Sequence, residues 1–144
     1  MPKPFKYQRQ IDELIKQGCK LPPLFSPDNW EACRFAFSAS CRSNHIPQYV
    51  SNPRRMLNDI TGEKATTSLL ALSCFKDEIK AVKFYKALCL SMRNAALTIG
   101  DSLAKGFLTK QDGLVTHPSA NSHFDLYEYP ECDLNQTFHI THQL

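Results

Sequence analysis

Past Gly100 the hydrophobic period of this chain changes from that of a helix to two, and nothing else in the sequence limits the fold as much. Residues 103–108, 113–116, 123–129 and 137–142 alternate apolar and polar side chains over short runs, separated by Lys110-Gln111-Asp112-Gly113 and by the turn-rich stretches 118–122 and 130–135. In a strand, successive side chains point to opposite faces, so runs of this kind predict four short strands. Asp112-Gly113 is a hairpin signal, since a type I′ turn requires positive φ at both central residues. It predicts that the strands on either side of it pair with one another.

Before that boundary lies the strongest helical pattern. From 76 to 96, apolar residues fall at Ile79, Val82, Phe84, Tyr85, Leu88, Cys89, Met92, Ala95 and Ala96, a wide stripe with most of the lysines off it. Asp77 and Glu78 suit the positive end of such a helix and Arg93 the negative end. Residues 7–18 repeat the pattern briefly, with Ile11, Leu14 and Ile15 on one side and Gly18 at the stop. Three prolines within 21–27 make that stretch a connector, because proline has no N–H and a fixed φ. Residues 33–39 read as a strand by alternation, 42–53 as a loop with at most a short extended piece at 48–50, and 66–75 as a second, buried strand.

With 144 residues, 42% hydrophobic and 22% charged, the chain has the size and composition of one globular domain. Helix, strand, strand, long helix and four strands predict an α+β domain over 1–144 with a largely antiparallel sheet and the 76–96 helix packed on it. Residues 1–30 supply the N-terminal helix and connector, and 31–144 the rest. No apolar run approaches a membrane span, and the first residues show no apolar leader, so a cytoplasmic location is expected and the six cysteines are expected to be reduced and mostly buried.

Charge is distributed unevenly. All 17 Lys and Arg lie within residues 1–110 against nine acids, whereas Asp112, Asp125, Glu128, Glu131 and Asp133 follow with no cation among them. Between Glu31 and Asp59 there is no acid, while Arg34, Arg42, Arg54 and Arg55 accumulate near His45. Planar guanidinium forks suit phosphates and carboxylates. The expected function is therefore a small binding or accessory module, contacting a protein or nucleic-acid partner through this basic surface at 34–55 and an acidic strand surface at the C-terminus. On a strand, His123, Asp125, Tyr127 and Tyr129 share one face and Phe124, Leu126 and Glu128 the other. Arg42, Arg54, Arg55, His123, Asp125 and Tyr127 are accordingly the expected partner contacts, and His123 with Asp125 can also form an oriented acid–base pair.

One ordered set points to an enzyme instead. Arg34 on the first strand, the hydroxyl cluster Thr66-Thr67-Ser68 and Glu128 on a late strand occur in an order similar to that of the arginine-serine-glutamate class of ADP-ribosyltransferases. The resemblance implies NAD as substrate, with Arg34 on its phosphates, Ser68 bracing the site, Glu128 stabilising developing ribosyl charge, and His123 and Tyr127 assisting. The position two before the glutamate, acidic or amide in that class, is Leu126 here. Under the binding reading no cofactor is expected. His117, His123, Cys132, His139 and His142 are spaced unlike a zinc knuckle, and His139 and His142 on a strand point to opposite faces, so no metal site is expected.

Overall fold

The computed structural model describes residues 3–38, 44–47 and 67–144. Within them six strands form one sheet: β1 (Trp30–Ala36), β2 (Leu72–Phe75), β3 (Ser102–Leu108), β4 (Gly113–Val115), β5 (His123–Glu128) and β6 (His139–Gln143). Their order across the sheet is β4-β5-β2-β1-β3-β6, and every neighbouring pair is antiparallel. The helices are α1 (Gln8–Lys16), α2 (Glu78–Ser91), α3 (Ala95–Thr98) and α4 (Leu134–Thr137), with a 3₁₀ turn at Thr67–Leu70. The architecture is the single α+β domain that the sequence pattern predicts, with a short N-terminal helix and one long one.

Both faces of the sheet are covered, which is why β1 buries consecutive residues Ala32, Cys33 and Arg34. On one face Ala32, Ala36, Leu72, Cys74, Ala104, Leu108, Phe124 and Leu126 pack beneath Leu134 of α4 and Phe138. The other face carries two separate clusters. Ile11 and Leu14 of α1 lie with Leu70, Ala71 and Tyr127, while Ala81 of α2 lies with Cys33, Phe75 and Leu103. Burying each such aliphatic or aromatic side chain contributes about 1.5–3 kcal/mol before chain entropy is counted.

Pairing along the sheet is uneven, and this shapes the middle. β1 and β3 are in register over all seven residues, from Trp30↔Leu108 to Ala36↔Ser102. β1 and β2 are joined at a single pair, Cys33↔Phe75. Beyond that pair the two strands diverge into a fork, and the backbone groups facing it need other partners.

Four expectations are corrected. β4 pairs with β5 and not with β3, so Asp112-Gly113 is not a hairpin turn. The long β1 ladder claims one edge of β3 and β6 the other; Asp112 instead accepts from the Thr109 N–H at 2.8 Å, and Gly113 (φ 155°) lets the backbone pass so close to Tyr127 that a Cβ there would strike its carbonyl. Residues 66–75 are not one strand: a 3₁₀ turn occupies Thr67–Leu70, because the Thr67 hydroxyl bonds the Tyr127 phenol at 2.9 Å and Leu70 seats under α1. The long helix ends at Ser91, where the Ser91 hydroxyl donates to the Leu88 carbonyl and Met92 turns extended, so Ala95 belongs to the separate α3.

The phase of that helix is the fourth. α2 buries only Ala81 and Tyr85, with Val82 and Leu88 half-buried, and Ile79 and Leu90 are 80% and 92% exposed. The small Ala81 allows close approach to β1 and β2, and the Tyr85 hydroxyl donates to the Gly100 carbonyl at 2.8 Å. Asp77 caps the helix by accepting from the N–H groups of Ile79 and Lys80. Lys105 of β3 clamps its first turn, lying 2.8 Å from Glu31 and 2.9 Å from Glu78.

Candidate functional site

Among the described residues, one strip of the sheet between the footprints of α1 and α2 stays open, and three polar side chains converge there. Ser73 of β2 stands opposite Asp125 of β5, and Phe75 opposite His123. The Ser73 hydroxyl shares a 2.5 Å hydrogen bond with His123 Nε2, and the same nitrogen is 3.8 Å from Asp125 Oδ1. Ser73 is exposed, and the side chains of His123 and Asp125 retain 38% and 20% of their accessible surface. The Phe75 ring meets the imidazole edge to face at 5.4 Å.

The position of His123 is set by the turn before it. Ser122 adopts φ 65°, unusual for a residue with a Cβ. Its carbonyl accepts from the Lys76 N–H and its hydroxyl from the Asp77 N–H, so the start of β5 is tied to the start of α2. On the far side of β5, the Thr116 hydroxyl accepts from the Asp125 N–H at 2.9 Å. Burial pushes the Asp125 carboxyl above the ordinary carboxylate value, and neighbouring His123 only partly opposes this. A carboxyl so placed can take up a proton more readily than a solvated one.

Arg34, 8% exposed, meets this site from the other face of the sheet, where it lies with Ala32, Ala36 and Cys74, and reaches it through the fork. Its Nη1 donates to the backbone carbonyl of Ser73, Nη2 to the Asn44 carbonyl at 3.2 Å and Nε to His45 Nδ1 at 3.2 Å. Asn44 in turn bonds both the N–H and the carbonyl of Phe37, at 2.7 and 3.0 Å, in the manner of a neighbouring strand. Burial, and then the adjacent guanidinium, hold His45 down at about 4, so it is neutral and can accept. The contacts Arg34–Ser73–His123–Asp125 thus run across the adjacent strands β1, β2 and β5.

Chemically the cluster is not the relay of a serine hydrolase. Such a relay needs a carboxylate on the imidazole nitrogen remote from the serine. Here Ser73 and Asp125 both address Nε2.

The other anticipated residues lie elsewhere. Glu128 points to the opposite face and is nearly sealed: its side chain is 2% exposed and Oε2 lies 2.7 Å from Lys6 Nζ. Lys6 also donates to the Cys132 carbonyl, while Glu128 Oε1 is buried with no hydrogen-bond partner among the described residues. Burial raises the Glu128 carboxyl above its ordinary value, against the lowering pull of Lys6. Tyr127 is 1% exposed and bonded to Thr67, so it is a core residue and not part of a contact surface. β5 is an interior strand, which is why its alternating pattern marks two buried faces over much of its length. Arg42, Arg54, Arg55 and the piece at 48–50 lie outside the described residues, as does the side chain of Ser68.

Among the described residues no three His, Cys, Asp or Glu side chains gather as metal ligands, and no helix is long and apolar enough to cross a membrane. Cys19, Cys33, Cys74, Cys89 and Cys132 carry unpaired thiols. Burial pushes Cys33 up to about 12 and Cys74 to about 11, far from the thiolate a nucleophile needs. Ser73 was missed in the sequence, where a lone serine within Leu-Ser-Cys-Phe carries no signature; only its register with Asp125 reveals it. Comparison with protein-family models, with curated proteins and with solved structures finds no match.

Proposed function

We propose that this chain is an NAD-dependent enzyme of the ADP-ribosyltransferase kind, with the arginine, hydroxyl and acid roles taken by Arg34, Ser73 and Asp125 instead of Arg34, Ser68 and Glu128. The observation that carries the reading is the double engagement of Ser73. Its carbonyl holds the Arg34 guanidinium, and its hydroxyl holds the imidazole beside Asp125. The resemblance orders an arginine, a hydroxyl and an acid along the first, second and a late strand; here Ser73 and Asp125 line an accessible strip of sheet, while Arg34, 8% exposed on the opposite face, meets them through the Ser73 carbonyl. Glu128, sealed against Lys6, has no such access.

In this reading the chemistry rests on charge. Among the described residues Arg34 gives three N–H groups to the fork, and its guanidinium, 8% exposed, supplies positive charge for the pyrophosphate of NAD. The bond from ribose C1′ to the nicotinamide nitrogen breaks, and its electron pair leaves with neutral nicotinamide. The ribose gains positive charge, which the Asp125 carboxylate stabilises. An acceptor oxygen or nitrogen then bonds C1′ and gives its proton to that carboxylate. Ser73 and His123 hold the approach to Asp125 and define one side of the ribose site.

The test is nicotinamide release from NAD by the purified protein, followed chromatographically, with Asp125→Asn and Glu128→Gln compared. Removing the Asp125 charge should lower turnover about 10²–10³-fold, by analogy with loss of one transition-state-stabilising group, while Glu128→Gln should keep turnover within severalfold of the parent. A parent that neither releases nicotinamide nor binds NAD in a calorimeter refutes the reading and leaves the binding module. Release abolished by Glu128→Gln but not by Asp125→Asn returns the acid role to Glu128.

A further inference from the structure

We infer that Asn44 and His45 form a clip that positions Arg34, resting for its catalytic meaning on the NAD reading above. Once β1 and β2 diverge beyond Cys33↔Phe75, the guanidinium would have only the Ser73 carbonyl to hold it. Residues 44 and 45 supply the remainder. The Asn44 side chain pairs with both backbone groups of Phe37, docking this segment against the chain just past β1, and its own carbonyl accepts from Arg34 Nη2. His45 Nδ1 accepts from Nε, and its ring lies 5.4 Å from that of Phe138, itself in the core under the sheet. The guanidinium is therefore held from three directions by acceptors on Ser73, Asn44 and His45. A planar group held at Nε and at one hydrogen of each Nη cannot turn freely, so its charge and its two remaining N–H groups keep one direction within the fork.

His45 is thus a positioning residue: it acts on substrate only through Arg34. Loss of a hydrogen bond to a charged group should weaken phosphate engagement about tenfold. His45→Ala should raise the KM for NAD about that much while kcat stays within about twofold, and His45→Asn, which restores an acceptor near Nδ1, should bring KM back within about threefold of the parent. The nitrogen-15 NMR signal of the Arg34 Nε–H provides a readout that needs no turnover. It should be visible and slow to exchange in the parent and in His45→Asn, and broadened in His45→Ala. An unchanged Arg34 signal in His45→Ala overturns the clip whatever the enzyme does. A parent without activity on NAD but with the expected loss of signal sinks the reaction and leaves the clip standing. A changed signal with unchanged KM refutes the catalytic role of His45. If His45→Ala does not fold, His45→Phe takes its place, since it fills the site without an acceptor.

Discussion

Replacing Lys6 by methionine tests the ion pair that holds the nearly sealed Glu128. Glu128 is the deeper partner, its side chain 2% exposed against 29% for Lys6, and among the described residues Oε1 already has no partner. In Lys6→Met the carboxylate keeps its burial and loses the contact at Oε2. Breaking a buried pair from one side costs about 3–5 kcal/mol, and the partial exposure of Lys6 places this one at the lower end, about 3 kcal/mol. For a chain of 144 residues that corresponds to a fall of about 10 °C in melting temperature. The pH dependence has a definite sign. Burial holds the folded Glu128 pKa above its ordinary value of 4.5, so the stability from its protonated form is complete below 4.5 and is lost as pH rises through the folded value. Protonated, the carboxyl needs no ammonium. The gap between parent and Lys6→Met should therefore be small at about pH 4 and full at about pH 7.5. Lys6→Met combined with Glu128→Gln should recover most of the loss, because no charge remains to be buried. Melting curves at both pH values decide it: a gap under about 2 °C at neutral pH, or an equal gap at both, refutes the account.

Two further stability changes follow from the packing. Tyr127→Phe removes the phenol that bonds Thr67 and leaves a buried hydroxyl unpaired, which should cost about 1–2 kcal/mol in urea unfolding at unchanged m; a shift in ΔG below about 0.5 kcal/mol would show that Thr67 finds another partner. Leu88→Ala should cost about 1 kcal/mol, well short of a fully buried leucine, since Leu88 is only half-covered on α2; a loss above about 3 kcal/mol would mean that α2 packs on a different face.

What could be read from the sequence is what depends on near neighbours. The alternation in β3 and β5 is a local property of the strand, so those elements and the split of His123 and Asp125 from Phe124 and Leu126 were legible, whereas β1, expected at 33–39, lies three residues earlier at Trp30–Ala36 because both of its faces are covered. Partner choice was not. The hairpin at Asp112-Gly113 fails because β3 gains a seven-residue ladder with β1, more than 60 residues earlier in the chain, and a local turn signal cannot outweigh it. Likewise the aliphatic run at 66–75 has strand propensity, but the Thr67–Tyr127 bond and the seat of Leu70 under α1 impose a turn on its first half.

The site follows the same division. His123 and Asp125 were visible because they lie two apart on one strand; Ser73 and the Arg34 clip depend on cross-strand register and on a fork, neither of which leaves a local mark. The fork itself has a physical origin in this mixture of ranges. A sheet with one fully registered half, β1 with β3, and another built on β2 with β5 needs to join them, and a single pair between β1 and β2 does so. The unpaired backbone beyond that joint must be satisfied by side chains, and Arg34 and Asn44 are the ones that do it. A position where a sheet lacks its own ladder is thus also where charged and amide groups are drawn between strands, within reach of an open face carrying Ser73, His123 and Asp125. The same fork leaves the buried Arg34 on one face of the sheet's centre and Ser73, His123 and Asp125 on the other, joined by the Ser73 carbonyl.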